Sequence, residues 1–143
     1  MKKTILVVCR GNTCRSIMFQ SVLKKHLGEV EGLLILSAGT TVDNIIKSLI
    51  LTNKILKKNN LPVIVEDTTS IKEYKNLNPD LLIILDETIS EQVIKSKQVI
   101  KFNIEDPYSE EELKEEETNL NYIKTLKEIE SLIIFHHNLD LFN

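Results

Sequence analysis

Thr4-Ile5-Leu6-Val7-Val8 is an apolar, β-branched run without polar alternation, and a turn signal, Gly11-Asn12, follows it almost at once. Such a run reads as a parallel strand buried on both faces. From Ser16 the pattern changes to helical spacing. Met18 and Val22, with Phe19, Leu23 and Leu27, share one side, Lys24, Lys25 and His26 turn to solvent, and Gly28 supplies a stop. Strand, loop, helix is the opening of a βαβ unit, which commits the chain to a parallel sheet.

The rest of the chain repeats the alternation. Leu33 to Ser37 reads as the second strand, with Ala38-Gly39-Thr40 as the turn at its carboxyl end. A helix from about Asp43 or Asn44 to Lys58 is closed by Asn59-Asn60 and Pro62. Val63-Ile64-Val65 reads as a short extended piece and Ser70 to Lys75 as a short helix. Leu81 to Leu85 is the third strand, ending at Asp86, and Thr88 or Ser90 caps a short helix through Val93-Ile94. Gln98 to Phe102 is the fourth strand. A carboxylate-rich loop from Asn103 to Glu117 leads to a last helix of about Leu120 to His136, striped by Ile123, Leu126, Ile129 and Ile133. The expectation is one α/β domain over 1–143, a four-stranded parallel sheet with helices on both faces. In such folds ligands bind beyond the carboxyl ends of the strands. Cys9, Ser37 with Gly39, Asp86 and Asp106 all follow strands and so can share one end.

Composition excludes more than it identifies. A net charge of −3, with lysines scattered among glutamates, argues against nucleic acid as a partner. No apolar run approaches the roughly 18–20 residues of a membrane span, so a cytoplasmic protein is expected. The two cysteines, Cys9 and Cys14, both lie in the opening loop, which suits thiols kept for chemistry in a reducing compartment. His26, His136 and His137 have no metal-ligand spacing with them and read as surface residues. No metal or cofactor is expected.

The loop Cys9-Arg10-Gly11-Asn12-Thr13-Cys14-Arg15-Ser16 reads as an anion cradle holding a nucleophile. A tight turn entering a helix N-terminus converges backbone N–H groups on a phosphate, with the positive end of the helix dipole behind them. Gly11 lets the backbone turn and approach the ligand without a Cβ. Arg15 adds a planar, permanently charged fork for two phosphoryl oxygens. The same field favours a thiolate at Cys9, and Ser16 is placed to hydrogen-bond that sulfur. A departing oxygen also needs a proton. Asp106, held extended by Pro107 in the acidic loop, is the candidate acid, and the same carboxyl can then activate water.

Cys9-x-Gly11-Asn12-x-Cys14-Arg15-Ser16, Ser37-Ala38-Gly39-Thr40 and Asp106-Pro107-Tyr108, in this order over essentially the whole chain, resemble the low-molecular-weight protein tyrosine phosphatases. The resemblance implies Cys9 as nucleophile, Arg15 as phosphate clamp, Ser16 as thiolate partner, Asp106 as general acid, and Asn12 as a loop-shaping residue braced by Ser37. It also implies that Cys14 can protect Cys9 as a reversible disulfide; a small buried residue behind the loop explains Cys14 equally well. Ile17 stands where the family usually has proline. Thr41-Val42-Asp43 offers no aromatic wall, so Thr41 and Tyr108 flank the substrate. The expected activity is hydrolysis of protein phosphotyrosine and small aryl phosphates through a phosphocysteine, by a monomer or weak homodimer. Thr13 resembles instead the protein-arginine phosphatases of the family, which have Thr at that place. Thioredoxin-coupled arsenate reductases need cysteines beyond Cys14, and none follows. A phosphocysteine carrier of a sugar phosphotransferase system is the alternative of another class, and it has no need of Arg15 with a distant Asp106. A phosphate-binding module without catalysis is disfavoured by the intact Cys9, Arg15 and Asp106.

Overall fold

The computed structural model describes residues 3–28, 30–42, 46–65, 67–108 and 114–138. Four strands, β1 (Lys3–Cys9), β2 (Leu33–Gly39), β3 (Leu81–Ile84) and β4 (Val99–Lys101), pair in parallel in the order β2-β1-β3-β4. Three helices accompany them, α1 (Arg15–Leu27), α2 (Ile46–Lys58) and α3 (Glu115–Asn138). Cys9 pairs in register with Gly39 and Val8 with Ile84, so the chain leaves β1, β2 and β3 at one edge. The connection reverses direction across the sheet between β1 and β3. That is the switch point at which open α/β sheets leave a crevice.

The two faces of the sheet are covered differently. Ile5, Val7, Leu81 and Ile83 pack under α1, α2 and α3, against Phe19, Leu56, Tyr122, Leu126, Ile129 and Ile133. On the other face Leu6, Val8, Leu82 and Ile84 meet Ile89 and Ile94, with Ile71, Tyr74 and Leu77 beside them. Helices lie on both faces as the sequence implies, but among the described residues the second face is covered by a single 3-10 turn, Ile71–Tyr74, and the turns after β3. The helix expected from Thr88 or Ser90 to Ile94 does not form. Its donors are taken locally: the Thr88 N–H by Asp86 Oδ1 at 2.9 Å, the Gln92 N–H by Ser90 Oγ at 3.1 Å. The β-branched Thr88, Ile89 and Val93 lower the helix propensity further.

Several boundaries also move. Residues 63–65 pair with no strand, although Val65 packs on the core and its carbonyl accepts from Asn53 Nδ2. Helix α3 begins at Glu115, well before Leu120, with Glu115, Glu116 and Glu117 in its first turn, where the dipole favours acids. The expected start of α2 at Asp43 or Asn44 lies outside the described residues. At its end α1 stops as read, because Gly28 takes φ 69° and its N–H reaches back to Lys24 O at 2.9 Å. His136 and His137 are half-buried, His136 packing edge-on against Phe102 at 4.8 Å between ring centroids.

Candidate active site

Residues 10–14 bridge the end of β1 and the first turn of α1, and their carbonyls decide what the loop can bind. Cys9 O accepts from the Thr40 N–H at 3.1 Å, Arg10 O from the Thr41 N–H at 2.8 Å, Thr13 O from the Thr52 hydroxyl at 2.7 Å, and Cys14 O from the Met18 N–H at 2.8 Å. In a trans peptide the N–H points opposite to the carbonyl. Tying these four oxygens to the surrounding framework therefore turns the N–H groups of Arg10, Gly11, Cys14 and Arg15 toward the middle of the loop. Helix α1 has no side-chain cap at Cys14 and no acidic residue in its first turn, so an anion meets no built-in competitor there.

Two residues allow the loop to close. The one with left-handed backbone is Asn12, at φ 54°, rather than Gly11. Asn tolerates that region because its side chain can bond locally, and here Oδ1 accepts from the Thr69 N–H at 2.8 Å while Nδ2 donates to Ser16 Oγ at 2.8 Å. Ser37, expected to brace Asn12, instead lies buried in β2 opposite Val7. The second residue is Gly39. A Cβ there would sit 2.6 Å from Arg10 O and 2.9 Å from Asn12 N, so only glycine lets β2 approach the loop this closely. At Gly11 a Cβ would meet only Thr13 Oγ1 at 3.7 Å, leaving that side open.

Cys9, 2% exposed, sits at the bottom with Sγ 3.0 Å from Ser16 Oγ and 3.3 Å from the Asn12 N–H. Because Asn12 Nδ2 occupies an acceptor site of Ser16, the serine's own proton is free to point at a thiolate. Cys14 is buried against Met18, Sγ to Sδ 3.7 Å, and burial pushes its thiol well above the usual range despite the nearby Thr52 hydroxyl. It is a neutral thiol in a dry setting.

Arg15, 3% exposed, reaches across the mouth. Its Nη1 donates to Asp86 Oδ2 and to Ile104 O, each at 2.9 Å, and Nη2 lies 3.7 Å from Asp106 Oδ2. Burial alone would raise the Asp86 carboxyl. The Thr88 hydroxyl and N–H, followed by Arg15, outweigh that and hold it below the ordinary range. Asp86 thus remains charged and fixes the guanidinium. Asp106 is exposed, its Oδ1 accepting the Tyr108 N–H at 3.0 Å across a buried Pro107. Tyr108 is 40% exposed, and Arg10 and Thr41 stand at the rim. Beside Arg15 opens a void of about 380 Å³ whose lining includes Asp86, Glu87, Glu105 and Asp106.

The structure therefore brings together Cys9, Asn12, Arg15, Ser16 and Asp106, with Thr13, 8% exposed, in the same loop. Asp86 is recognisable beforehand by its place after β3 but not by its task. Thr69 lies in the stretch with the weakest sequence pattern. Thr52, in mid-helix, carries no sequence signal at all.

The sequence model described as low molecular weight phosphotyrosine protein phosphatase matches residues 4–138. No curated protein matches the chain. Among solved structures it is similar to a low molecular weight protein tyrosine phosphatase from T. tengcongensis, at 23% identity and TM-score 0.69, over 92% of this chain and 95% of that one. An arginine phosphatase from Geobacillus stearothermophilus aligns at 20% identity and TM-score 0.71, over 97% and 94%. An arsenate reductase from Archaeoglobus fulgidus aligns at 23% identity and TM-score 0.66, over 90% and 94%. At these identities the likeness speaks for the fold.

Proposed function

Since the chain belongs to the low molecular weight phosphotyrosine protein phosphatase family, we propose that it hydrolyses phosphorylated protein side chains through a phosphocysteine at Cys9. The observation that carries this reading is the convergence of Ser16 on the Cys9 sulfur and of Asp106 on Arg15 across one mouth. In the first step the thiolate attacks phosphorus, the bond to the leaving atom breaks, and Asp106 gives its proton to that atom. In the second, water attacks phosphorus while Asp106 takes its proton; the sulfur–phosphorus bond breaks, releasing inorganic phosphate and restoring the thiolate. Arg15 and the inward N–H groups stabilise the charge on the equatorial oxygens in both steps. A phosphocysteine carrier would need the cradle but not the acid, so Asp106 at the mouth favours hydrolysis over carriage.

Two leaving groups fit this chemistry. Tyr108, the one aromatic flank among the described residues, supports phosphotyrosine. Glu87 and Glu105, the carboxylates at the void beside Arg15 that neither pair with it nor serve as the acid, support a cationic guanidinium, as does Thr13 in the loop, and on this ground phosphoarginine ranks above phosphotyrosine. A rate panel with phosphotyrosine, phosphoarginine and phosphoserine peptides and an aryl phosphate tests both levels. The expected order is phosphoarginine, then phosphotyrosine, with phosphoserine slowest; faster turnover of phosphotyrosine reverses the substrate choice. Loss of all turnover in Cys9→Ser is expected, and undiminished turnover in that variant overturns the mechanism. Stable phosphorylation of Cys9 without release of phosphate favours the carrier.

A further inference from the structure

Of the four loop carbonyls turned outward, three are held by backbone N–H groups, which any residue but proline supplies. The fourth, Thr13 O, is held by a side chain 39 positions away in sequence, the hydroxyl of Thr52 on α2, at 2.7 Å. Thr52 is fully buried, and its Oγ1 also lies 2.8 Å from Ser48 O, the ordinary i−4 partner of a helical threonine. One hydroxyl proton serves two acceptors, and the longer-range one belongs to the loop. The same hydroxyl lies near the Cys14 thiol, next to the peptide whose carbonyl it holds.

We propose that Thr52 is a positioning residue for the anion cradle: by holding Thr13 O outward it keeps the Cys14 N–H aimed at the bound phosphoryl group. The proposal rests on the reading of the loop as a phosphate site. Without the hydroxyl, Thr13 O would be a buried acceptor lacking its partner, and the peptide would be free to rotate. A rotated peptide replaces an inward donor by an inward carbonyl, which repels the anion it formerly bound. The helix itself loses little, because the i−4 bond of a mid-helix threonine is dispensable.

The test compares Thr52→Val, which keeps the shape and removes the hydroxyl, with Thr52→Ser, which keeps the hydroxyl. Binding of inorganic phosphate is measured by calorimetry and kcat/KM with an aryl phosphate. In Thr52→Val phosphate binding is expected to weaken about 10-fold and kcat/KM to fall at least as much, whereas Thr52→Ser stays within about twofold of the parent. A second measurement needs no variant. Titration of the parent with inorganic phosphate should move the Cys14 amide proton strongly downfield in NMR spectra, as a donor to an anion. A parent-like phosphate affinity in Thr52→Val, or a Cys14 amide unmoved while that of Gly11 shifts, overturns the proposal and leaves the hydrolytic reading standing. A parent that shifts its Cys14 amide but turns over no substrate does the reverse. No phosphate binding in the parent overturns both.

Discussion

The nucleophile and the acid proposed for this site are built to opposite standards. Around Cys9 the loop is fixed atom by atom: four carbonyls are tied outward, Asn12 is pinned at both ends of its side chain, and Gly39 permits an approach that any Cβ would block. Around Asp106 the carboxylate has one turn-forming bond and a 3.7 Å approach to Arg15, with its side chain 50% exposed. The contrast follows from what each side must do. An anion is bound by donors that stay put, since preorganised dipoles lose nothing to rearrangement. The acid must exchange protons with a leaving group and then with water, so it belongs on the open side. Arg15 joins the two, held by Asp86 on one nitrogen and facing Asp106 with the other.

Removing the acid should separate the halves most sharply. Asp106→Asn is expected to lower kcat by roughly 10²–10⁴-fold, the usual worth of a positioned acid, while inorganic phosphate binds within about twofold of the parent. An equal loss of phosphate affinity would mean that the open side also binds the anion, and the contrast would fail. Gly39→Ala attacks the other half. With its new Cβ 2.6 Å from Arg10 O, the loop must shift, and phosphate affinity and kcat/KM should fall together, about 10–100-fold. A Gly39→Ala enzyme with parent-like phosphate binding would show that the loop is less fixed than its contacts imply.

Asp86 gives the contrast a pH dependence. Its carboxyl is held below the ordinary value, so the folded state binds that proton less readily than the unfolded chain. Its stabilisation is fully present above the unfolded value of about 3.9 and is lost as pH falls through the folded value. Thermal unfolding between pH 7 and 3 should show a steeper acid loss in the parent than in Asp86→Asn. At neutral pH the variant should be less stable by roughly 2 kcal/mol, the range for bonds to charged groups. Identical acid profiles would remove Asp86 as the anchor of Arg15.

How much of this is legible in the sequence depends on whether the cause is local. β1, β2, β3 and α1 are read nearly to the residue because apolar runs and the Gly28 stop are local signals, and the place of the loop at Cys9 because its turn lies within eight consecutive residues. The turns at 87–94 are misread as a helix because apolar spacing suits either, and only the competition of Asp86 and Ser90 for N–H groups decides. The partner of Asn12 is misassigned to Ser37 because Thr69 reaches the loop only through the pairing of Gly39 with Ser70 at the sheet edge. The proposed preference for phosphoarginine, over the phosphotyrosine expected from sequence, has a similar origin. Glu87 and Glu105 are unremarkable in sequence and become a charged wall only when β3 and β4 lie side by side.

The smallest expected effect asks how far the fixed half extends into the core. Behind Thr52, Ser48 Oγ and the Tyr122 hydroxyl share a buried hydrogen bond of 2.6 Å between α2 and α3, and burial holds the phenol proton well above its usual range. Tyr122→Phe leaves the Ser48 hydroxyl buried without that partner, at a cost of about 1–2 kcal/mol, or roughly 2–8 °C in melting temperature for a chain of this length. Phosphate affinity should stay within about twofold, because Thr52 keeps both of its acceptors when the phenol is gone. Adding Ser48→Ala should recover part of the loss, since removing both buried polar groups costs less than orphaning one. If Tyr122→Phe instead weakens phosphate binding as much as Thr52→Val, the rigidity of the cradle is imposed from α3 through α2, and the boundary between the fixed and open halves lies one helix further from the mouth.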